Sequence, residues 1–148
     1  MSVFDFEKDP RLARLVSFYE QLSLENLSAL SSIYTSEAFF KDPFQEVKGH
    51  QAIEAVFQHM YATMERPYFR VLTAMAQNEE AFLRWHFYFC FKRNPHVTQV
   101  IEGSSYVRFA PDGRVEWHRD YWDAAEELYE KIPLLGSVMR GLKRMARS

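Results

Sequence analysis

The chain has 148 residues, 47% hydrophobic and 26% charged, which fits one globular domain with one core and excludes a disordered or fibrous chain. Its net charge of −2 is divided unevenly, because residues 131–148 hold Lys131, Arg140, Lys143, Arg144 and Arg147 and no acid, leaving 13 bases against 20 acids in the remainder. That acidic body argues against a nucleic-acid groove, the single cysteine, Cys90, excludes an internal disulfide, and no window approaches the roughly 18 apolar residues of a membrane-spanning helix.

The first segment, MSVFDFEKDP, lacks the basic start and apolar stretch of a secretory signal, so a cytoplasmic location is expected. Asp9-Pro10 is a helix start, offering a side-chain acceptor and a proline where no amide partner is needed. Leu12, Leu15, Val16, Tyr19 and Leu22 then keep helical spacing. Ser23 caps a second predicted helix with Leu27, Leu30, Ile33 and Tyr34 on its inner side. Ala38–Lys41 reads as a short edge strand that Asp42-Pro43 ends. After Gly49 a third helix carries Ile53, Val56, Phe57, Met60, Tyr61 and Met64, and Arg66-Pro67 stops it.

From Tyr68 the pattern becomes β-type, with runs over Tyr68–Ala76, Ala81–Lys92, Val97–Phe109 and Arg114–Trp122. Short turn-rich separators predict an antiparallel meander. The fold class expected is α+β: a curved antiparallel sheet wrapped around N-terminal helices, with a C-terminal amphipathic helix. In RWHFYFCFK, Trp85, Phe87, Phe89 and Phe91 alternate with His86, Tyr88 and Cys90, and a face that exposes several rings suits a dimer interface. The domain assignment is 1–125 for the main body and 126–148 for a basic amphipathic extension. That extension is expected to pack on its own domain or a dimer mate, its other reading being contact with an anionic membrane surface or a partner.

The segments FYEQLSLENLSALSSIYTSEAFFKDPF, VKGHQAIEAVF and SYVRFAPDGRVEWHRDYWD, in this order, resemble the nuclear-transport-factor-two-like superfamily and its SnoaL-like branch, over roughly residues 10 to 125. The resemblance implies a cone with a solvent-facing mouth, a homodimer and a pocket. It implies no particular reaction, since the fold hosts isomerases, cyclases, hydrolases and members without chemistry.

By this resemblance Asp42 matches the catalytic base of the ketosteroid isomerases, Tyr19 and Tyr34 match two of their three pocket tyrosines, and Trp122 matches a pocket tryptophan. Their third tyrosine falls at Phe57 and their protonated carboxylic acid donor at Ser105, so the implied oxyanion hole is depleted. Strand alternation puts His118, Asp120 and Trp122 on one face, and an aspartate beside a histidine fixes its tautomer for acid–base work. SnoaL-type cyclases use a cavity aspartate without metal or cofactor, a role that falls here to Asp120.

The alternatives stay open. Asp42 caps a turn in one reading, Tyr19 and Tyr34 are packed core rings in another, and His118 with Asp120 is a buried pair that fixes strand register in a third. The catalytic candidates are thus Asp120, His118, Asp42 and Tyr19, and the ligand-contacting ones Trp122, Tyr34, Phe57 and Ser105. The five histidines lack metal-site spacing, and no phosphate loop, nucleophile elbow or dinucleotide fingerprint is present. No metal or cofactor is expected. Three functions remain: a protein with a cavity for a small apolar molecule, a cofactor-independent isomerase, cyclase or lyase, and a dimerisation or protein-interaction module.

Overall fold

A computed structural model of the chain describes residues 8–127 and 133–147, the side chains of 133–137 and 139 excepted. Helix α1 (Pro10–Glu20) starts as the sequence predicts. Asp9 Oδ1 accepts from the amides of Arg11 at 3.0 Å and Leu12 at 3.5 Å, satisfying donors that the first helical turn leaves open. The Arg11 guanidinium bonds Asp9 Oδ2 at 2.8 Å, the Asn78 carbonyl at 2.7 Å and Glu79 Oε2 at 3.1 Å, tying the helix start to a sheet turn. Leu12, Leu15, Val16, Phe18 and Tyr19 form its buried face.

The predicted second helix is a 3-10 helix over Leu24–Ser32. Serine hydroxyls in it reach back three residues, Ser32 Oγ to the Ala29 carbonyl at 2.6 Å and Ser31 Oγ to that of Ser28 at 3.3 Å, an alternative to the α-helical ladder. Leu27 and Leu30 are buried, each contributing about 1.5–3 kcal/mol. Tyr34 is not on this helix. It opens strand β1 (Tyr34–Lys41), which is longer than predicted and interior to the sheet, the edge being a short strand β2 (Glu46–Lys48) absent from the sequence reading. The inner positions of β1, Tyr34, Ala38 and Phe40, are buried against the helices that pack on that face of the sheet.

Helix α2 (His50–Thr63) buries Ile53 and Phe57. Strands β3 (Met64–Gln77), β4 (Glu80–Phe91), β5 (Asn94–Phe109) and β6 (Val115–Tyr121) follow, each close to its predicted run, and the six-stranded sheet has the order β2-β1-β6-β5-β4-β3. Consecutive strands from β3 to β6 pair antiparallel, while β1 and β6 run parallel with Phe40 opposite His118. Register shifts between Glu65 and Tyr68 and between Val71 and Thr73 bend β3, with Arg66 at φ 50°. Bulges of this kind raise local twist and help the open sheet curve around the helices.

The core lies between that concave face and the helices, with Leu12, Leu15, Leu30, Tyr34, Ile53, Phe89 and Phe109 each 2% exposed or less. Past β6 come a short helix α3 (Ala124–Glu127) and helix α4 (Pro133–Arg147). Lys131 and the side chains of Leu135 and Met139, which the sequence reading assigned to the basic extension, lie outside the described residues. Among the described residues no helix is long and apolar enough to cross a membrane.

Candidate functional site

Four strands and one helix bring six polar side chains into a single hydrogen-bonded chain on the concave face. Cross-strand pairing sets most of it. Ser105 of β5 faces Asp120 of β6, and Val107 faces His118, while Trp85 of β4 faces Gly103 and so reaches diagonally to Ser105. Trp85 Nε1 donates to Ser105 Oγ at 2.8 Å, and Ser105 Oγ donates to Asp120 Oδ1 at 2.5 Å. From the other side, His118 Nε2 lies 2.6 Å from the same Asp120 oxygen, and His118 Nδ1 lies 2.8 Å from Tyr34 Oη. Tyr34 Oη in turn bonds Tyr19 Oη, which is 3.5 Å from His118 Nδ1.

These contacts determine the proton positions. Burial pushes the Tyr19 phenol well above its ordinary ionisation range, with the charge of Asp120 and the neighbouring Tyr34 acting the same way. Burial likewise raises Tyr34, which the Tyr19 hydrogen bond partly offsets. Both phenols are therefore donors at neutral pH. Tyr34 donates to Nδ1, which makes the neutral His118 the Nε2–H tautomer, and that hydrogen is directed at Asp120. Two donor chains, Tyr19–Tyr34–His118 and Trp85–Ser105, thus end on Oδ1 of one carboxylate. Among the described residues no hydrogen bond is made to Asp120 Oδ2.

The raised phenols carry a pH consequence. A tyrosine whose ionisation is raised on folding leaves stability intact below the unfolded value, near 10, and withdraws it as pH climbs above that value, because the unfolded chain ionises first. The unfolding midpoint should fall steeply above pH about 10, and tyrosinate absorbance of Tyr19 and Tyr34 should rise only with unfolding. In Tyr34→Phe the alkaline part of this dependence should shrink, while stability near neutrality drops by about 1–3 kcal/mol because His118 Nδ1 loses its donor. Thermal melts across pH, read beside ultraviolet difference spectra, check both.

Asp120 borders an open surface hollow that it shares with Lys41, Asp42 and Trp122, and two deeper spaces. One, of about 10 Å³, has Tyr19, Ser105 and His118 on its wall and has room for about one water. The other, about 240 Å³, is lined by Phe40, Phe57, His59, Asp120 and Trp122 among others, and Phe69 and Trp85 border both. Phe57 offers this cavity an apolar ring, packed edge-on against Tyr19 at 6.0 Å and Phe40 at 6.2 Å. Trp122 is also on its wall, edge-on to Phe44 at 5.3 Å. Tyr19 and Tyr34 are not on the wall of the larger cavity.

Asp42 lines the larger cavity too, but its oxygens serve the turn after β1. Oδ1 accepts from the amides of Phe44 at 2.8 Å and Gln45 at 3.0 Å, and Oδ2 accepts from Gln45 Nε2 at 3.0 Å. Sequence reasoning passed over His59, which lies on the cavity wall with Val56, Met60 and Thr63. Their spacing of three, four and seven along α2 was a legible signal. Among the described residues no three His, Cys, Asp or Glu side chains converge on a point suited to a metal ion.

The model of the SnoaL-like domain matches residues 15–118. The chain belongs to the SnoaL-like family. No curated protein matches this SnoaL-like chain by sequence. Among solved structures it is similar to a protein of ketosteroid isomerase-like fold from Catenulispora acidiphila in complex with trimethylamine, with a TM-score of 0.69 and 12% identity over 81% of this chain and 90% of that one. It also resembles an LEH-like epoxide hydrolase of M. tuberculosis, with a TM-score of 0.65 and 9% identity over 90% of each chain. A third likeness is to TerC co-crystallised with polyporic acid, with a TM-score of 0.70 and 12% identity over 80% of this chain and 95% of that one. At such identities the likeness is one of fold. The family's other neighbours likewise span several chemistries, so the SnoaL-like assignment leaves the activity to be argued from the site.

Proposed function

We propose that the 240 Å³ cavity receives a small apolar carbonyl compound and that Asp120 acts on it as a general base, making the protein a cofactor-independent isomerase, cyclase or lyase. The observation that carries this reading is the convergence of both donor chains on Asp120 Oδ1, which fixes the carboxylate plane and leaves Oδ2 for substrate. Oδ2 takes the proton from the carbon beside the carbonyl, the electron pair moves to the carbonyl oxygen, and the protonated Asp120 returns the proton at the next carbon or to the closing ring. His118 and Ser105 hold the carboxylate, and Tyr34 and Tyr19 hold His118. The developing oxyanion needs a donor on the cavity wall. Among the described residues the Trp122 indole N–H and the His59 ring make no other hydrogen bond, and these are the groups proposed to receive it.

In this reading Asp42 shapes the mouth through its turn contacts, and Phe57 and Trp122 supply apolar and aromatic contact to the ligand. The protein works as a cytoplasmic homodimer, an assignment that sedimentation and cell fractionation check. The neighbours crystallised with trimethylamine and polyporic acid support a ligand-sized space in this fold. A cavity that only binds, without turnover, is the alternative that the same site supports if Oδ2 merely accepts a ligand donor.

The test begins with native mass spectrometry of protein purified from its own host, to identify a retained molecule. It continues with solvent-deuterium exchange into apolar cyclic ketones followed by NMR. A bound apolar carbonyl compound and exchange well above the uncatalysed rate are expected. Binding without exchange would assign the protein to the non-catalytic class, and an empty dimer with no exchange would leave the interaction-module reading.

A further inference from the structure

We infer that the cavity selects a ketone that carries a basic nitrogen, its ammonium form seated on Asp42 and Trp122, a proposal that rests on the general-base reading of Asp120 for the place of the carbonyl. Among the described residues, Asp42, Asp120 and Trp122 are common to the 240 Å³ cavity and the open hollow outside it. Register brings the two carboxylates together. Lys41 of β1 pairs with Arg119 of the parallel β6, so Asp42 and Asp120, one residue further along, emerge side by side. Strand alternation sends Lys41 and Arg119 to the opposite face, since Phe40 and His118 beside them are buried. Both bases border the outer hollow, and among the described residues neither Lys nor Arg lies on the cavity wall.

A wholly apolar ligand would strip water from two neighbouring carboxylates and return nothing for it, and an anion would be repelled by both. A cation offsets their mutual repulsion. Asp42 accepts two hydrogen bonds on Oδ1 and one on Oδ2, and a carboxylate has about four acceptor sites, so Oδ2 can take one more donor. Asp120 keeps its own Oδ2 for the proton of the carbon beside the carbonyl. The indole of Trp122 offers a ring face, which attracts an ammonium group more strongly than other aromatic side chains do, while its N–H lies in the ring plane and stays available to the carbonyl oxygen. A metal ion is a poorer match, because among the described residues no three His, Cys, Asp or Glu side chains converge there. Deeper in, Phe57, Phe87 and Ile101 receive the apolar body. The ligand class is thus a small apolar ketone with an amine a few bonds from its carbonyl.

Three cyclohexanones test this on the full-length protein, bearing opposite the carbonyl a dimethylamino, an isopropyl or a carboxylate group. At neutral pH the first is a cation, the second its neutral isostere and the third an anion. In binding isotherms the cation is expected to bind at least about tenfold tighter than the isopropyl ketone, and the anion more weakly than either. Raising salt from about 0.1 M to about 1 M should weaken the cation alone. Asp42→Asn keeps the oxygen that accepts from the Phe44 and Gln45 amides and removes the charge. It should cut the advantage of the cation by at least about fivefold and leave the affinity for the isopropyl ketone unchanged. Failure of the cation to bind, or binding no tighter than that of the isopropyl ketone in the wild-type protein, would overturn the proposal without recourse to the variant. Deuterium exchange beside the carbonyl is read separately. Exchange without preference for the cation refutes the ammonium site and keeps the general base, whereas a preferred cation without exchange refutes the general base and keeps the ammonium site.

Discussion

Asp120→Asn should reduce any turnover by about 10²–10⁴-fold while leaving ligand affinity within several-fold and the fold intact. The asparagine carbonyl occupies the place of Oδ1 and still accepts from His118 Nε2–H and Ser105 Oγ–H, so both donor chains keep their terminus. The oxygen that changes is the one that no group among the described residues uses. An amide NH₂ there takes no proton, and the chemical step is lost while the shape of the cavity is kept. Ser105→Ala is the companion experiment. It removes one of two donors to Oδ1 and leaves the Trp85 N–H without its acceptor, so a smaller loss of rate should accompany a measurable loss of stability. Deuterium exchange rates and binding isotherms on both variants check this, and a tenfold loss of affinity in Asp120→Asn would assign Asp120 to ligand binding instead.

The largest structural effect is expected at Gly103→Ala. The indole of Trp85 lies flat on this residue, and an added Cβ would stand 2.6 Å from Cζ2 and 2.7 Å from Cζ3, far inside van der Waals contact. Trp85 is only 6% exposed and is packed edge-on against Phe69 at 5.7 Å, so its ring can yield only into the spaces it borders. Overpacking of this kind costs about 1–3 kcal/mol. Displacing the ring also breaks the 2.8 Å bond to Ser105 and moves a wall shared by both spaces beside Asp120. A melting temperature lower by several degrees, a changed tryptophan emission and weaker ligand binding are expected together. An unchanged melting temperature would mean that the sheet yields locally at Gly103.

Local chemistry made much of the architecture legible. Asp9-Pro10, most of the helical stripe of α1 and the four β runs depend on neighbours in sequence and stand near where the pattern put them, although Leu22 lies past the end of α1, Met64 opens β3 instead of closing the helix, and Asn94-Pro95-His96 begin β5 instead of forming a turn. The errors lie where partners are distant. Tyr34 fits a helical period from Leu27 and Leu30, but the parallel pairing of β1 with β6 begins there, through Val115 and Tyr34, and a strand 80 residues later in the chain leaves no local mark. For the same reason Ala38–Lys41 read as an edge. Its interior position follows from β2 and β6 flanking it.

The site divides along the same line. The sequence by itself determined that His118, Asp120 and Trp122 share one face of a strand, because side chains alternate with period two, and that the tail is basic and amphipathic, because charge and spacing are local properties. Only the tertiary structure decided which oxygen of Asp120 is occupied, that Tyr34 and Tyr19 orient His118, and that Trp85 reaches Ser105 across Gly103. Those are matters of strand register and of a few tenths of an ångström in hydrogen-bond length, which emerge when the sheet closes over the helices and every buried donor must find an acceptor.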